Sequence, residues 1–234
     1  MSGRPEPLSQ NRLLANLDVE EYELLAPHLE TVSLSMSEVL FRPEDQLQHV
    51  YFPTTSIVSL LTDLSDGSGM EVGLVGREGM VGISAVLGGS ETKVATVQGQ
   101  GEALRMKAEK LRDEFSRGGV LQNALLRYTH ALMTQISQSV VCNARHPVEG
   151  RLARWLLMYH DRLEHDEFEL THEFIANMLG VRRAGISEVA NKLQELGFIS
   201  YQRGRVKILN RKGMEEFACE CYPIVKEKFE DFLL

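Results

Sequence analysis

Cysteine is scarce. The 234 residues hold three, Cys142, Cys219 and Cys221. That is too few for a disulfide framework, so a reducing cytoplasm is the expected compartment. Long apolar runs are missing too. The longest, such as Ile57-Val58 and Leu60-Leu61 split by Ser59, fall far short of the ~20 residues of a membrane helix. The N-terminus, Met1-Ser2-Gly3-Arg4-Pro5-Glu6-Pro7, has no apolar core and so does not read as a secretory signal. There is no internal repeat, no low-complexity segment, no Gly-rich phosphate loop ending in Lys-Ser/Thr, no Gly-x-Ser-x-Gly elbow and no convincing carboxylate pair. Enzymatic chemistry therefore has little support. What is present, 43% hydrophobic and 25% charged residues, is ordinary globular composition, enough for one large domain or two small ones.

The net charge of −8 argues at first against a nucleic-acid partner, but the distribution reverses that. Between Thr171 and Gly213 lie Arg182, Arg183, Lys192, Arg203, Arg205, Lys207, Arg211 and Lys212 against Glu173, Glu188 and Glu195. The window is +5 and the remainder −13. A basic island in an acidic chain is either a solvated patch or a localised electrostatic footprint for a polyanion.

The chain opens with a helix. Asp18 is suited to cap it and Glu21 stands at capping-box spacing. Leu24, Leu25 and Leu29 form its apolar stripe, and Pro27 ends or kinks it. From about Ser33 to Met106 short β-rich runs follow: Val39-Leu40-Phe41, Val50-Tyr51-Phe52, Ile57–Leu61, Val72–Val75, Val94–Val97 and Ala103–Met106. Turn residues such as Asp66-Gly67-Ser68-Gly69, Gly76, Gly82 and Gly88-Gly89 separate them. That alternation predicts a compact antiparallel roll or barrel. Its glycines mark turns or close backbone approach to a ligand.

A short helix is expected over Ala108–Phe115, interrupted by Gly118-Gly119. From Val120 to about Asn143 there is neither Pro nor Gly, which predicts a helix about 36 Å long at 1.5 Å per residue. Leu121, Leu125, Tyr128, Leu132, Ile136 and Val140 are the expected dimer interface. Leu126, Met133 and Val141 form a second apolar side. A two-stranded coiled coil with the roll behind it accounts for both; a single helix buried in a monomer is the alternative. His146-Pro147 breaks the helix. Arg151–Arg162 resumes it, with Leu152, Trp155, Leu156 and Tyr159 on one face.

The segment Leu170–Ile199 is the most informative. Thr171 is placed to cap a helix burying Phe174, Ile175 and Leu179, and Gly180 ends it. A second helix follows at once, burying Ile186, Val189, Leu193 and Leu196. Two short helices so tightly joined form a helix-turn-helix, whose second helix lies in the major groove of double-stranded DNA. Helical geometry turns Arg183, Ala184, Ser187, Glu188 and Asn191 outward. Arg183, Ser187, Glu188 and Asn191 are the candidate base readers: Arg183 can bond guanine in bidentate fashion and Glu188 can accept from cytosine. Thr171, Arg182, Lys192, Arg203 and Arg205 are candidate phosphate contacts. The runs flanking Arg203-Gly204 read as a hairpin wing with a basic tip. A helical hairpin serving only protein contacts, within a small-molecule sensor or adaptor, is the competing reading.

These residues resemble the Crp/Fnr superfamily of bacterial transcription regulators, from about residue 12 to 213. The resemblance implies an α+β chain: an N-terminal antiparallel β-roll (a double-stranded β-helix like that of cyclic-nucleotide-binding domains), a long dimerisation helix and a C-terminal winged helix-turn-helix. It divides the chain into a roll with flanking helices over 1–117, the long helix and hinge over 118–146, and the DNA-binding domain with a C-terminal helix over 147–234. The stretch Gly180-Val181-Arg182-Arg183-Ala184-Gly185-Ile186-Ser187-Glu188 is its most specific part. Arg183 matches the first Arg of the family's Arg-Glu-(x)3-Arg reading set, whereas Ala184 replaces the Glu and Glu188 the second Arg. The resemblance thus implies a homodimer on an inverted repeat with half-sites about 34 Å apart, but not the half-site sequence of well-known members.

The family's cyclic-AMP members hold the ribose with Gly-Glu and the phosphate with Arg-Ser. In the matching effector pocket here, Gly82 remains and Ser84 stands nearby. Ile83 replaces the Glu, Lys93 the Arg and Val94 the Ser. Ile83 and Val94 cannot make the hydrogen bonds, and Lys93 lacks the bidentate fork, so cyclic AMP is not the expected ligand. An unknown small-molecule effector and RNA polymerase remain candidate partners; no cofactor and no metal are expected. N-terminal iron–sulfur ligation, found in some members, is excluded because residues 1–141 hold no cysteine. Cys219 and Cys221, read as part of a helix, point apart and make a poor metal pair. A buried thiol is the simpler reading than a redox switch. His160, His165 and His172 lack ligand spacing, no spacing among the seven histidines singles out a haem ligand, and Gly76-Arg77-Glu78-Gly79 reads as a turn.

Overall fold

A computed structural model describes residues 10–63 and 69–232. The expected polar start Met1–Pro7 and the turn at Asp66-Gly67-Ser68 lie outside the described residues. Two short helices come first, α1 (Arg12–Ala15) and α2 (Val19–Leu25). Asp18 caps α2 as expected, its carboxylate accepting from the Glu21 amide at 2.8 Å. The reciprocal half of the capping box is absent. The Glu21 carboxylate instead accepts from the Val120 amide at 3.1 Å, tying the N-terminus to the start of a distant helix. Pro27 lies in a 3-10 turn, Ala26–His28, that ends α2.

Seven strands follow: β1 (Glu30–Leu34), β2 (Val39–Phe41), β3 (His49–Pro53), β4 (Ile57–Asp63), β5 (Gly69–Val75), β6 (Val94–Gly99) and β7 (Gly101–Lys107). They form two antiparallel sheets ordered β1-β7-β3 and β2-β6-β4-β5. Alternate residues such as Val50 and Phe52 on β3 point inward. The inner faces of both sheets share one apolar core. Strand β1 escaped the sequence pattern because Glu30, Thr31 and Ser33 line its outer edge; its register with β7 supplies what its composition lacks.

The one-turn helix α3 (Ser84–Leu87) and α4 (Ala108–Ser116) flank the roll. Gly118 and Gly119, at φ +81° and +91°, turn the chain into α5 (Val120–Arg145), which runs 26 residues unbroken. After Pro147 comes α6 (Val148–His160). The remainder comprises β8 (Glu167–Glu169), α7 (His172–Leu179), α8 (Arg183–Glu195), β9 (Ile199–Gln202), β10 (Arg205–Ile208), α9 (Arg211–Phe217) and α10 (Cys221–Asp231). Strand β10 sits centrally between β8 and β9. No helix among the described residues is long and apolar enough to cross a membrane.

The two sides of α5 are the reverse of those expected. Leu121, Leu125, Tyr128 and Leu132 are buried within the one chain. Tyr128 donates to the Met80 carbonyl at 2.7 Å and packs on Phe229 of α10 and on Phe232, the residue just past its end. Leu132 and Ile136 lie against Gly73 of β5. These residues are therefore spent on the chain's own core and leave the expected seam; of that set only Val140 is exposed. The exposed line instead runs Asn123, Leu126, His130, Met133, Ser137, Val140 and Ala144. It repeats in alternating steps of three and four, the seven-residue period of a coiled-coil seam. Met133 and Val140 are 61% and 62% exposed, an apolar stripe that α10 and the roll do not reach.

The roll and the C-terminal half are in direct contact. Trp155 of α6 donates to Glu71 of β5 at 2.7 Å. Arg162, 5% exposed, pairs with the equally buried Glu78 at 2.7 Å and donates to the Leu74 carbonyl at 3.0 Å. Gly76-Arg77-Glu78-Gly79 is a turn, and its glycines are required by close approach. A Cβ on Gly79 would lie 2.1 Å from the Tyr128 ring, and one on Gly76 2.7 Å from Arg162.

Candidate nucleic-acid interface

Thr171 caps α7, its hydroxyl accepting from the Phe174 amide at 3.1 Å. Gly180 ends the helix in the left-handed conformation, φ +61° and ψ 41°. The Val181 amide then bonds back to the Ala176 carbonyl at 3.0 Å, closing the helix end as glycine termini do. Only Gly180, Val181 and Arg182 separate α7 from α8, so the two helices cross at a tight joint. Ile186, Val189 and Leu193 bury the inner face of α8; Leu196, expected there too, is 46% exposed because it lies just past the helix end.

Arg183, Ala184, Glu188 and Asn191 face outward from α8. The guanidinium of Arg183 is 69% exposed, with Glu173 no nearer than 4.0 Å. No side chain caps the first turn of α8, which leaves its amides open toward an anion. Ser187, expected among the base readers, turns inward: its hydroxyl lies 2.8 Å from His172 Nδ1. His172 in turn stacks on Tyr201 of β9 at 4.2 Å. Burial, then the Arg183 charge, holds the His172 pKa below its ordinary 6.5. A neutral imidazole thus packs helix α7, helix α8 and the wing into one unit, a role that no spacing in the sequence signalled.

The β9–β10 turn is the wing tip, with Arg203 at φ +50° and Gly204 at φ +80°, as a two-residue hairpin requires. Arg182, Arg203 and Lys207 are exposed. Lys212 is exposed as well, whereas Arg205, Lys192 and Arg211 are engaged. Arg205 meets Glu169 at 3.1 Å and Glu167 at 3.8 Å, both on β8. Lys192 pairs with Glu149 at 3.2 Å and overlies Phe217 at 5.8 Å, on the side facing α6 and α9. Arg211 is held by Asp161, fifty residues back along the chain, and by Glu215 one helical turn on, both just outside the basic segment.

In the roll, Gly82 at φ +95° precedes Ile83, which opens α3. Ser84 hydrogen-bonds Glu91, Lys93 bonds the Thr92 hydroxyl at 3.1 Å, and Val94 is buried opposite Leu61. A cavity of about 490 Å³ opens beside this segment, lined by Gln46, His49, Ser84, Lys107, Glu109 and Arg112 among others. Of the five expected pocket residues only Ser84 lines it. On the long helix, Gln135 is buried and holds both the amide and the carbonyl of Leu74 at 3.1 Å.

One expectation about the cysteines is overturned. Cys219 is not helical; it lies in the link before α10, and Cys221 is the first residue of that helix. With Cys219 in the link and Cys221 at the helix start, their sulfurs converge instead of diverging, and Cys142 Sγ, His146, Cys219 Sγ and Cys221 Sγ place ligand atoms within 4.8 Å of one another.

A ligand-scale roll, a long helix with one open apolar seam and a winged helix-turn-helix define a transcription regulator that couples a sensor-like module to a DNA-binding one. Residues 31–117 match the cyclic nucleotide-binding domain and residues 150–217 the Crp-like helix-turn-helix domain. The chain belongs to the Crp/Fnr family of transcription regulators. No curated protein matches it. Solved structures show the fold. FixK2 from Bradyrhizobium japonicum is 17% identical with a TM-score of 0.71, over 82% of this chain and 98% of that one. The Crp/Fnr-family regulator TTHA1359 from Thermus thermophilus is 19% identical with a TM-score of 0.63, over 81% and 98%. The c-di-GMP-responsive regulator CLP from Xanthomonas campestris is 18% identical with a TM-score of 0.59, over 82% and 100%.

Proposed function

We propose that the protein is a cytoplasmic, non-enzymatic regulator that binds an inverted-repeat operator as a homodimer and does not respond to cyclic AMP. One observation carries this reading: α8 presents Arg183, Glu188 and Asn191 on an exposed face beside a wing whose tip is Arg203. In this reading Arg183, Glu188 and Asn191 reach base edges, and Thr171, Arg182 and Arg203 contact phosphates. Ser187 orients α8 through His172 rather than reading bases, and Lys192 and Arg205 contribute less than their charge suggests.

The dimer forms along Leu126, His130, Met133, Ser137, Val140 and Ala144. The two-fold axis of such a seam sets the two recognition helices in successive major grooves. Rejection of cyclic AMP follows from Ile83, Lys93 and Val94, which supply neither the ribose acceptor nor the phosphate fork. A signal in the roll acts by biasing the hinge over Asn143–Val148 between two orientations of the winged domain.

Selection of bound fragments from genomic DNA, followed by anisotropy at several salt concentrations, tests the reading. The expected result is a two-fold symmetric site with a steep loss of affinity as salt rises. Asymmetric or unselected fragments, or a chain that ignores DNA at low salt, overturns it. Calorimetry with cyclic AMP should show no binding in the micromolar range.

A further inference from the structure

We propose that Cys142, His146, Cys219 and Cys221 form a tetrahedral site for one thiophilic divalent ion of the zinc class, clamping the hinge to the C-terminal helix. Cys142 lies on the last turn of α5 and His146 just beyond its end, four residues on. Cys219 and Cys221 arrive from the link into α10, 77 and 75 residues from those partners.

The distances suit a single ion. With metal–sulfur bonds of ~2.3 Å and metal–nitrogen bonds of ~2.0 Å, the edges of a tetrahedron are about 3.8 Å between two sulfurs and about 3.5 Å between sulfur and nitrogen. Cys142 Sγ and Cys219 Sγ are 3.4 Å apart, and Cys221 Sγ lies 3.5 Å from His146 Nδ1. An iron–sulfur cluster spreads its cysteines over several irons and needs a wider cage than these four atoms enclose.

The surroundings point the same way. While Nδ1 of His146 faces Cys221, its Nε2 lies 3.4 Å from the Glu220 carboxylate. That is the carboxylate–histidine arrangement that orients metal-bound imidazoles. Cys219 is anchored to α6 through its backbone, its amide bonding to the Gly150 carbonyl at 3.4 Å. Arg151 and Arg154 are 7% and 4% exposed, and each leaves a buried Nε without a hydrogen-bond partner. Both lie within electrostatic reach of Cys142. Three thiolates, one neutral imidazole and one divalent ion carry a net charge of −1, the sign that suits two buried guanidiniums.

An ion here bridges the segment entering the hinge to the segment leaving the winged domain. Its occupancy therefore sets the angle at which α8 is presented; this consequence, unlike the site itself, rests on the DNA-binding reading above.

The test uses the full-length chain purified under reducing conditions. Elemental analysis should find about one zinc per chain. Replacement by cobalt should give the intense visible bands of a tetrahedral ion together with thiolate-to-cobalt charge-transfer bands. Cys219→Ser/Cys221→Ser should abolish both. Glu220→Ala, at a side chain 80% exposed and so harmless to folding, should weaken cobalt affinity by about 10–100-fold. A metal-free chain that takes up neither zinc nor cobalt while all three thiols titrate freely overturns the site. So does a Cys142–Cys219 disulfide as the only species recovered. Chelation that lowers operator affinity in the native chain and not in the double variant supports the hinge clamp. Bound zinc without any change in operator affinity overturns the clamp, and a metal-loaded chain that binds no DNA overturns the DNA reading instead.

Discussion

The indole of Trp155 donates to the carboxylate of Glu71 at 2.7 Å, joining the first helix after the hinge to the outer strand of the roll. Glu71 is buried, and Ser59 completes its hydrogen bonding. Burial pushes its pKa up to about 7, against the Ser59 and Trp155 hydrogen bonds and the Arg154 and Arg162 charges that favour the carboxylate.

A carboxyl titrating near 7 in the folded chain and near 4.5 in the unfolded one binds more protons when folded across that window. Its contribution to stability is present in full below pH 4.5 and is lost as pH rises through 7. Above that, the loss is on the order of 3 kcal/mol at about 1.4 kcal/mol per unit. Glu71→Gln keeps an acceptor for Trp155 and removes the titration. Urea unfolding from about pH 5 to 8 should show the native chain losing stability relative to the variant; parallel curves would refute it.

Met133→Glu puts a charge in the middle of the exposed seam of α5 without touching the chain's own core. It should convert the proposed dimer to a folded monomer by light scattering, with an unchanged circular dichroism spectrum. Leu132→Glu, whose side chain is 5% exposed within one chain, should instead lower stability by several kcal/mol, the cost of burying a charge without a partner. A dimer that survives Met133→Glu would place the interface elsewhere.

Arg183→Ala should cost about 1–3 kcal/mol and relax preference at one base position of each half-site. The check is affinity across single-base variants of the selected operator. Equal weakening on every variant would make Arg183 a phosphate contact.

Arg203→Ala should weaken all sequences alike and reduce the salt slope by about one, because no carboxylate among the described residues lies within ion-pairing distance of that guanidinium. Arg205→Ala, whose guanidinium is already paired to Glu169 and Glu167, should change the slope less. The reverse order would mean that β8 releases Arg205 on binding.

Local patterns carried much of this protein. Period-two runs, turn glycines, the Thr171 cap, the left-handed Gly180 and the basic turn at Arg203-Gly204 all act within a few residues. The roll, the long helix and the winged helix-turn-helix were therefore legible from the chain. The register of β1 against β7 was not, since Glu30 to Ser33 take their stability from a partner strand far along the chain.

What the amino-acid order determined by itself was thus the kind and sequence of elements, because helix and strand periods and caps are local properties. Which face of α5 meets the roll, which arginines stay unpaired and whether Cys142, His146, Cys219 and Cys221 converge were decided only by tertiary structure. Leu132 and Met133 are both apolar neighbours on one helix, and only the packing of β5 and α10 makes one core and the other seam. Arg203 and Arg205 carry the same charge, and only the pairing of β8 with β10 neutralises one of them. Such choices depend on contacts between residues far apart in the chain, which no local period encodes.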